Sequence, residues 1–334
     1  MRKWVIVGCV FLLFPWVTSL AWMRAAGAME KREPLELETE AAEATEATEA
    51  AGNEVVGISV SDRRILVERQ GLQTYMNLED YLPGVVVCQI NPDYEMEALK
   101  CQAVIARTYI CRLMEGRTEI HEEELDLDYL GEMDKGIFRS PQKREQAVAN
   151  LERCQQAVRE TSGLTMKYDG RYILPLFHSV SAGRTRKGEE TFPYLQAVES
   201  GWDTEREEFL TVSDRSLREA ADCINQIPEA SPVSADEMAG QIQVVEKDDS
   251  GYVQQIKVGA RTYSGEDVQY ALGLPSSCYS LEPAEGGKNL RIITRGSGHG
   301  YGLSQAGADS MAAEGWRCED ILQYYYKNIS LNSE

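Results

Sequence analysis

The stretch from Asp93 to Glu115 constrains the fold of this chain more than any other part. Met96, Leu99, Ala103, Ala106 and Ile110 recur at helical spacing there, and Gly116 follows as a stop. A helix with an apolar face must bury it against other elements. What the rest of the chain offers is mostly strands and hairpins. Asp169-Gly170, between Leu164–Tyr168 and Arg171–His178, is the strongest hairpin signal in the sequence. Val55–Glu68 alternates like a strand, with Ser61-Asp62 as a turn, and leads into a hairpin ending near Tyr75.

Further elements follow the same logic. Asn77 is a good N-cap type before a short helical turn over Leu78–Val87. Gly116–Arg139 is acidic and aperiodic and reads as a surface excursion. Ser140-Pro141 opens a helix with Val148, Leu151, Cys154 and Val158 on its buried face, closed at Gly163. Trp202–Pro232 is charged and helical in flavour. Gln241–Val258 reads as two strands around Asp249-Ser250-Gly251, and Asp267–Leu272 as a helix ending at Gly273. A last strand, Arg291–Thr294, leads into Gly296–Gly302, and a closing helix covers Glu319–Tyr326. This order predicts an α+β fold, with mixed helices and antiparallel strands in one lobed extracytoplasmic domain over residues 55–332.

Two segments precede that domain. Arg2 and Lys3 stand before an apolar run, Trp4–Met23, of the length that spans a bilayer. Residues 1–28 therefore read as a single-pass anchor with the remainder outside the cytoplasm. A cleaved signal ending near Ala26-Gly27-Ala28 is the rival. Residues 29–54 form an acidic tether of low complexity, without an apolar stripe to bury. A net charge of −20 argues against nucleic acid as a partner. The eight cysteines contain no CxxC pair, so zinc-ribbon and thioredoxin chemistry lack support. Most of them fit as small buried hydrophobes, with a disulfide outside the cytoplasm left open.

Four blocks in order carry the functional signal. The first is Asn77–Tyr109, with Glu79-Asp80-Tyr81, Gln89, Glu97-Ala98-Leu99-Lys100, Gln102 and Ala106-Arg107-Thr108-Tyr109. Then come Phe177-His178-Ser179-Val180-Ser181-Ala182-Gly183 and Pro193–Val198 with Trp202-Asp203. The last is Gly298-His299-Gly300-Tyr301-Gly302-Leu303-Ser304-Gln305-Ala306-Gly307-Ala308. Together they resemble the stage II sporulation protein D (SpoIID/LytB) family. The resemblance implies a peptidoglycan protein of endospore engulfment, with glycan strands, other cell-wall hydrolases and engulfment membrane proteins as partners. It places Arg107, His178, Ser179, Ser181, His299, Tyr301, Ser304 and Gln305 at a glycan groove. Physically, glycines let backbone groups approach a ligand closely. The alternative is a tight structural loop feeding the last helix. His178 and Ser179, as strand neighbours, point to opposite faces and make a poor nucleophile–base pair.

Family members that cut glycan strands are lytic transglycosylases with a glutamate where this chain has Gln89. That acid protonates the glycosidic oxygen and then takes the proton of the muramic acid 6-hydroxyl, closing a 1,6-anhydro ring. One group must serve as acid and then base, which a carboxyl does and an amide does not. The substitution predicts an intact groove with cleavage absent or severely reduced. An active enzyme using Glu95 or Glu97, and a scaffold for wall hydrolases, are the two alternatives. Some relatives hold zinc in the loop after the long helix. Here that loop has His121 and then EEELDLDYL, without the sulfur and nitrogen donors zinc prefers, so no metal or cofactor is expected. Gln269, where relatives have arginine, is a second departure.

Overall fold

The computed structural model describes residues 59–69, 71–130, 140–228 and 232–333. The anchor and tether expected over residues 1–54 lie outside them. Among the described residues no helix is long and apolar enough to cross a membrane. The architecture is α+β, as the sequence predicts, with two separate hydrophobic clusters.

The larger lobe is built around one helix. Helix α1 spans Leu78–Gln89, α2 Met96–Leu113 and α3 Pro141–Glu160. Every residue of α2 from Cys101 to Cys111 is buried, so α2 is enclosed on all sides rather than amphipathic. The faces that read as polar in sequence carry Gln102, Arg107 and Thr108, each buried and therefore in need of partners. Around α2 pack α1, α3, the hairpin strand β4 (Leu164–Tyr168), and two late helices, α7 (Gln305–Ala313) and α8 (Cys318–Tyr325).

Most of the expected elements form, with shifted ends. Strands β1 (Arg64–Arg69) and β2 (Leu72–Asn77) make the first hairpin. The acidic excursion is not wholly irregular, since β3 (Glu119–His121) pairs parallel with β1. Asp169 (φ 48°) and Gly170 (φ 77°) turn β4 into β5 (Arg171–Tyr172), a left-handed pair that favours Asp-Gly. The chain then leaves that sheet. Phe177–His178 (β6) pairs parallel with Leu303–Ser304 (β13), joining two of the sequence blocks.

The smaller lobe holds β7 (Leu210–Ser216), α4 (Leu217–Ile224), α5 (Ala235–Gln241), β8 (Ile242–Lys247), β9 (Val253–Val258), β10 (Arg261–Ser264), α6 (Gly265–Leu272), β11 (Tyr279–Ala284) and β12 (Asn289–Arg295). Its two sheets run β10-β9-β8 and β11-β12-β7, all antiparallel. Ser264 caps α6 by accepting from Asp267 N–H at 2.9 Å, and Gly273 ends it at φ 61°. The sequence reading missed β7 inside the stretch read as helical, α5, β10, β11, β13 and α7 inside the glycine-rich block, and β14 (Ser330–Ser333), which pairs with β4.

Candidate functional site

The polar residues of α2 define where chemistry can sit. Gln102 donates to Gln89 Oε1 at 2.8 Å. Gln305, the first residue of α7, donates from Nε2 to the Gln89 carbonyl at 2.8 Å and to Gln102 Oε1 at 3.0 Å. Three glutamines from α1, α2 and α7 thus form one buried amide cluster at the C-terminal end of α1. Gln89 is 7% exposed, Gln102 is fully enclosed and Gln305 is 5% exposed. Gln89 Nε2 alone is left with no acceptor among the described residues. An unmatched buried donor costs about 1–3 kcal/mol.

One residue before Gln305 begins a second node. Ser304 donates to Asp203 Oδ1 at 2.8 Å and caps α7 by accepting Gly307 N–H. Asp203 Oδ2 accepts the Ser181 hydroxyl in a short bond, and the Ser181 N–H at 3.0 Å. Burial raises the carboxyl's pKa while these donors pull it back. Ser200, also bonded to Asp203, meets Tyr325 Oη at 2.8 Å and ties the node to α8. Asp203 follows Trp202 in the third sequence block, where its side chain has no role assigned. Ser181 and Ser304 lie far from it in sequence, so its role carried no local signal.

Directly before Ser304 and Gln305 in the chain lies the glycine-rich loop. His178 Nδ1 meets the Tyr301 carbonyl at 3.1 Å, which makes that nitrogen the donor, and its Nε2 has no partner among the described residues. His299 Nδ1 accepts the Tyr301 N–H at 3.0 Å. The two imidazoles lie edge to face with centroids 5.8 Å apart. Burial holds His178 down to about 4 and His299 down to about 3, the latter also through its histidine and Arg186 neighbours. Both are neutral at ordinary pH.

The loop's glycines make room for the protein itself rather than for a ligand. A Cβ on Gly298 (φ 107°) would stand 2.7 Å from His178 Cβ, and one on Gly302 (φ 70°) 1.8 Å from the Leu176 carbonyl. The structural reading of this block therefore prevails for its glycines. Arg186, which the sequence did not single out, clamps the loop. It lies between the rings of Tyr301 (4.3 Å) and Tyr252 (5.0 Å) and bonds Asp248, Glu266 and the His299 carbonyl. Asp248 and Glu266 belong to the smaller lobe, so Arg186 joins both lobes to the loop.

Several predicted groove residues are placed elsewhere or committed inward. Arg107 is fully buried and forks onto Glu79 at 2.7 and 2.8 Å, with further bonds to Val158 and Leu164 carbonyls. It is a structural ion pair tying α1 to the end of α3. Ser181 and Ser304 are enclosed and spent on Asp203. Ser179 and Tyr301 are half-exposed, and the Ser179 carbonyl accepts Ala306 N–H, one step from Gln305. Glu97 has both oxygens engaged, by Lys100 (2.6 Å) and by the Cys318 N–H (2.8 Å). Glu95 is exposed at the N-cap of α2. Gln269 is buried and donates to the Leu274 carbonyl at 3.4 Å. No group of three or more metal-ligating side chains occurs among the described residues. A cleft of about 430 Å³ opens on the Arg107 side, lined by Glu79, Asp80, Pro83 and Arg159, away from the amides.

These features define an α+β protein whose first sequence block, centred on α1 and α2, carries a buried amide cluster backed by a clamped glycine loop. Residues 68–168 match the model of the SpoIID family, described as stage II sporulation protein. Over its length the chain is similar to stage II sporulation protein D of Bacillus amyloliquefaciens, 29% identical across 97% of this chain and 93% of that one. It is similar also to stage II sporulation protein D of Bacillus subtilis, 28% identical across 85% and 83% of the two chains. A Brachyspira hyodysenteriae protein of uncharacterised role is 27% identical across 77% and 67%.

Proposed function

We propose that this chain is a sporulation protein that binds peptidoglycan glycan strands at the Gln89 cluster and does not cleave them efficiently by itself. One observation carries the reading. The Gln89 amide has its oxygen held by Gln102 and its nitrogen buried without an acceptor among the described residues. Where a cleaving relative presents a proton, this chain presents a fixed N–H donor. Such a donor suits a glycosidic, hydroxyl or acetamido oxygen of a sugar, and pairing with one recovers the cost of leaving it unmatched. An amide gives up no proton at neutral pH, so protonation of the leaving oxygen has no source at this position. Glu97 does not replace it, since both of its oxygens are occupied.

The membrane anchor over residues 1–28 and an extracytoplasmic location complete the proposal. The tether over residues 29–54 then holds the domain off the membrane, within reach of the wall. Partner hydrolases would act on strands that this chain holds.

The test uses the full chain in detergent with purified glycan strands. Expected are co-sedimentation with the strands and no 1,6-anhydro products, with Gln89→Glu gaining measurable anhydro products. Anhydro products from the unaltered protein overturn the absence of cleavage, and failure to co-sediment overturns the binding site.

A further inference from the structure

Two cysteines distant in sequence meet beside the amide cluster. Cys101 lies on α2 directly before Gln102, and Cys318 is the first residue of α8. Cys101 Sγ donates to the Cys318 carbonyl at 3.5 Å, across 217 positions of chain. Both residues are buried, at 0% and 2% exposure. One turn earlier on α2, Glu97 accepts the Cys318 N–H, so the start of α8 is held on α2 at two adjacent points. Burial first, and then the neighbouring Cys318 thiol, push the Cys101 thiol well above its ordinary range, which places the two sulfurs within each other's influence. Both are free thiols as described.

We propose that Cys101 and Cys318 are a disulfide site, oxidised when the chain folds in the presence of a small-molecule disulfide or a thiol–disulfide oxidoreductase. Each thiol gives up its proton, one sulfur–sulfur bond forms between them, and the oxidant's disulfide is reduced to two thiols by the two electrons and two protons released. The bond closes a loop that runs from α2 to α8 and contains every sequence block after the first. Cross-linking so distant a pair restricts the unfolded chain more than a short loop does. It also fixes α8 against the helix that carries Gln102. Operation in the cell rests on the extracytoplasmic location proposed above; the pairing itself does not.

The full chain is equilibrated with mixed oxidised and reduced glutathione in low urea, so that buried thiols exchange. Remaining thiols are then blocked with N-ethylmaleimide, and the protein is digested without reduction for mass spectrometry. A linked peptide pair containing Cys101 and Cys318 is expected, with a Tm several degrees lower after reduction. Cys101→Ser and Cys318→Ser should lose both the linked pair and the reduction-dependent change in Tm. Recovery of both cysteines as maleimide adducts, or of Cys101 joined to another cysteine, overturns the assignment. The same mapping on protein blocked directly in producing cells separates the two premises: a bond formed in the glutathione mixture but absent in cells overturns the location and leaves the pair standing.

Discussion

Asp203 and Gln89 are buried polar centres of the same lobe, served by adjacent residues, Ser304 and Gln305. Their accounting differs. Both carboxylate oxygens of Asp203 are engaged, by a backbone N–H and by serine hydroxyls. The amide of Gln89 keeps one side unmatched. A satisfied buried network rigidifies its surroundings, whereas an unsatisfied one costs stability until something pairs with it. Asp203 therefore reads as the centre that sets the position of α7, and Gln89 as the centre that the proposed glycan binding would complete.

The largest expected effect falls on the two histidines next to them, His178 on β6 and His299 in the glycine-rich loop. His178 and His299 are neutral in the fold, with values near 4 and 3 against 6.5 when unfolded. A depressed folded value means that the unfolded chain takes up protons first. The stability each histidine secures is complete above pH 6.5 and is lost as pH falls from there toward the folded value, at about 1.4 kcal/mol per pH unit for each ring. Between pH 7.5 and pH 5 the pair should cost about 4 kcal/mol, read from urea midpoints. Asp203 acts in the opposite sense at lower pH: its folded pKa is raised, so protonation favours the fold as pH falls through it. Replacing both histidines with glutamine should flatten the slope between pH 6.5 and 5. An unchanged slope would show that other groups carry it.

Mutation at the two centres tests the contrast directly. Asp203→Ala strands two serine hydroxyls and a backbone N–H inside the lobe and should cost about 3 kcal/mol, with glycan binding lost as α7 shifts. Gln89→Ala removes one bond acceptor for Gln102 together with an already unmatched donor, and should cost about 1 kcal/mol. Its binding loss should nonetheless match that of Asp203→Ala in co-sedimentation. Equal stability losses at the two positions would erase the distinction between a structural centre and a binding one.

How much of this was legible depends on how local each signal is. Turn and cap chemistry is local, so the Asp169-Gly170 hairpin, the Ser140-Pro141 helix start and the Ser264–Gly273 helix were read nearly to the residue. Helix α7 was missed because glycine and alanine give it no apolar period, and its start is fixed by Ser304 folding back on a distant Asp203. Strand β7 was missed because its exposed Leu210, Val212 and Asp214 show no clean alternation, and pairing with β12 decides its state. At the site, Gln89 and Gln305 were identified by resemblance and are brought together. Arg107, Ser181 and Ser304 carried the same signal for a different reason. Residues that hold a site and residues that touch a ligand look alike in a motif, and only burial and partners separate them. Arg186 had no motif at all, since its role exists only once Asp248, Glu266 and Tyr301 surround it.

The smallest effect should come from the smaller lobe, and it sharpens the comparison by serving as its control. Ser264 caps α6 in the smaller lobe, away from both polar centres, and its hydroxyl accepts the Asp267 N–H. Ser264→Ala should cost about 1 kcal/mol through the lost cap. That loss is of the size expected for Gln89→Ala, so the two variants can be compared at matched stability. If Gln89 is a binding centre, only its variant should fail to co-sediment with glycan strands. One link between the lobes runs through Arg186 to Glu266, the second residue of α6, so the first turn of this helix is a direct route by which Ser264 could reach the loop. Loss of binding in Ser264→Ala would show that the clamp transmits strain into the site, and that the smaller lobe belongs to the binding machinery rather than standing apart from it.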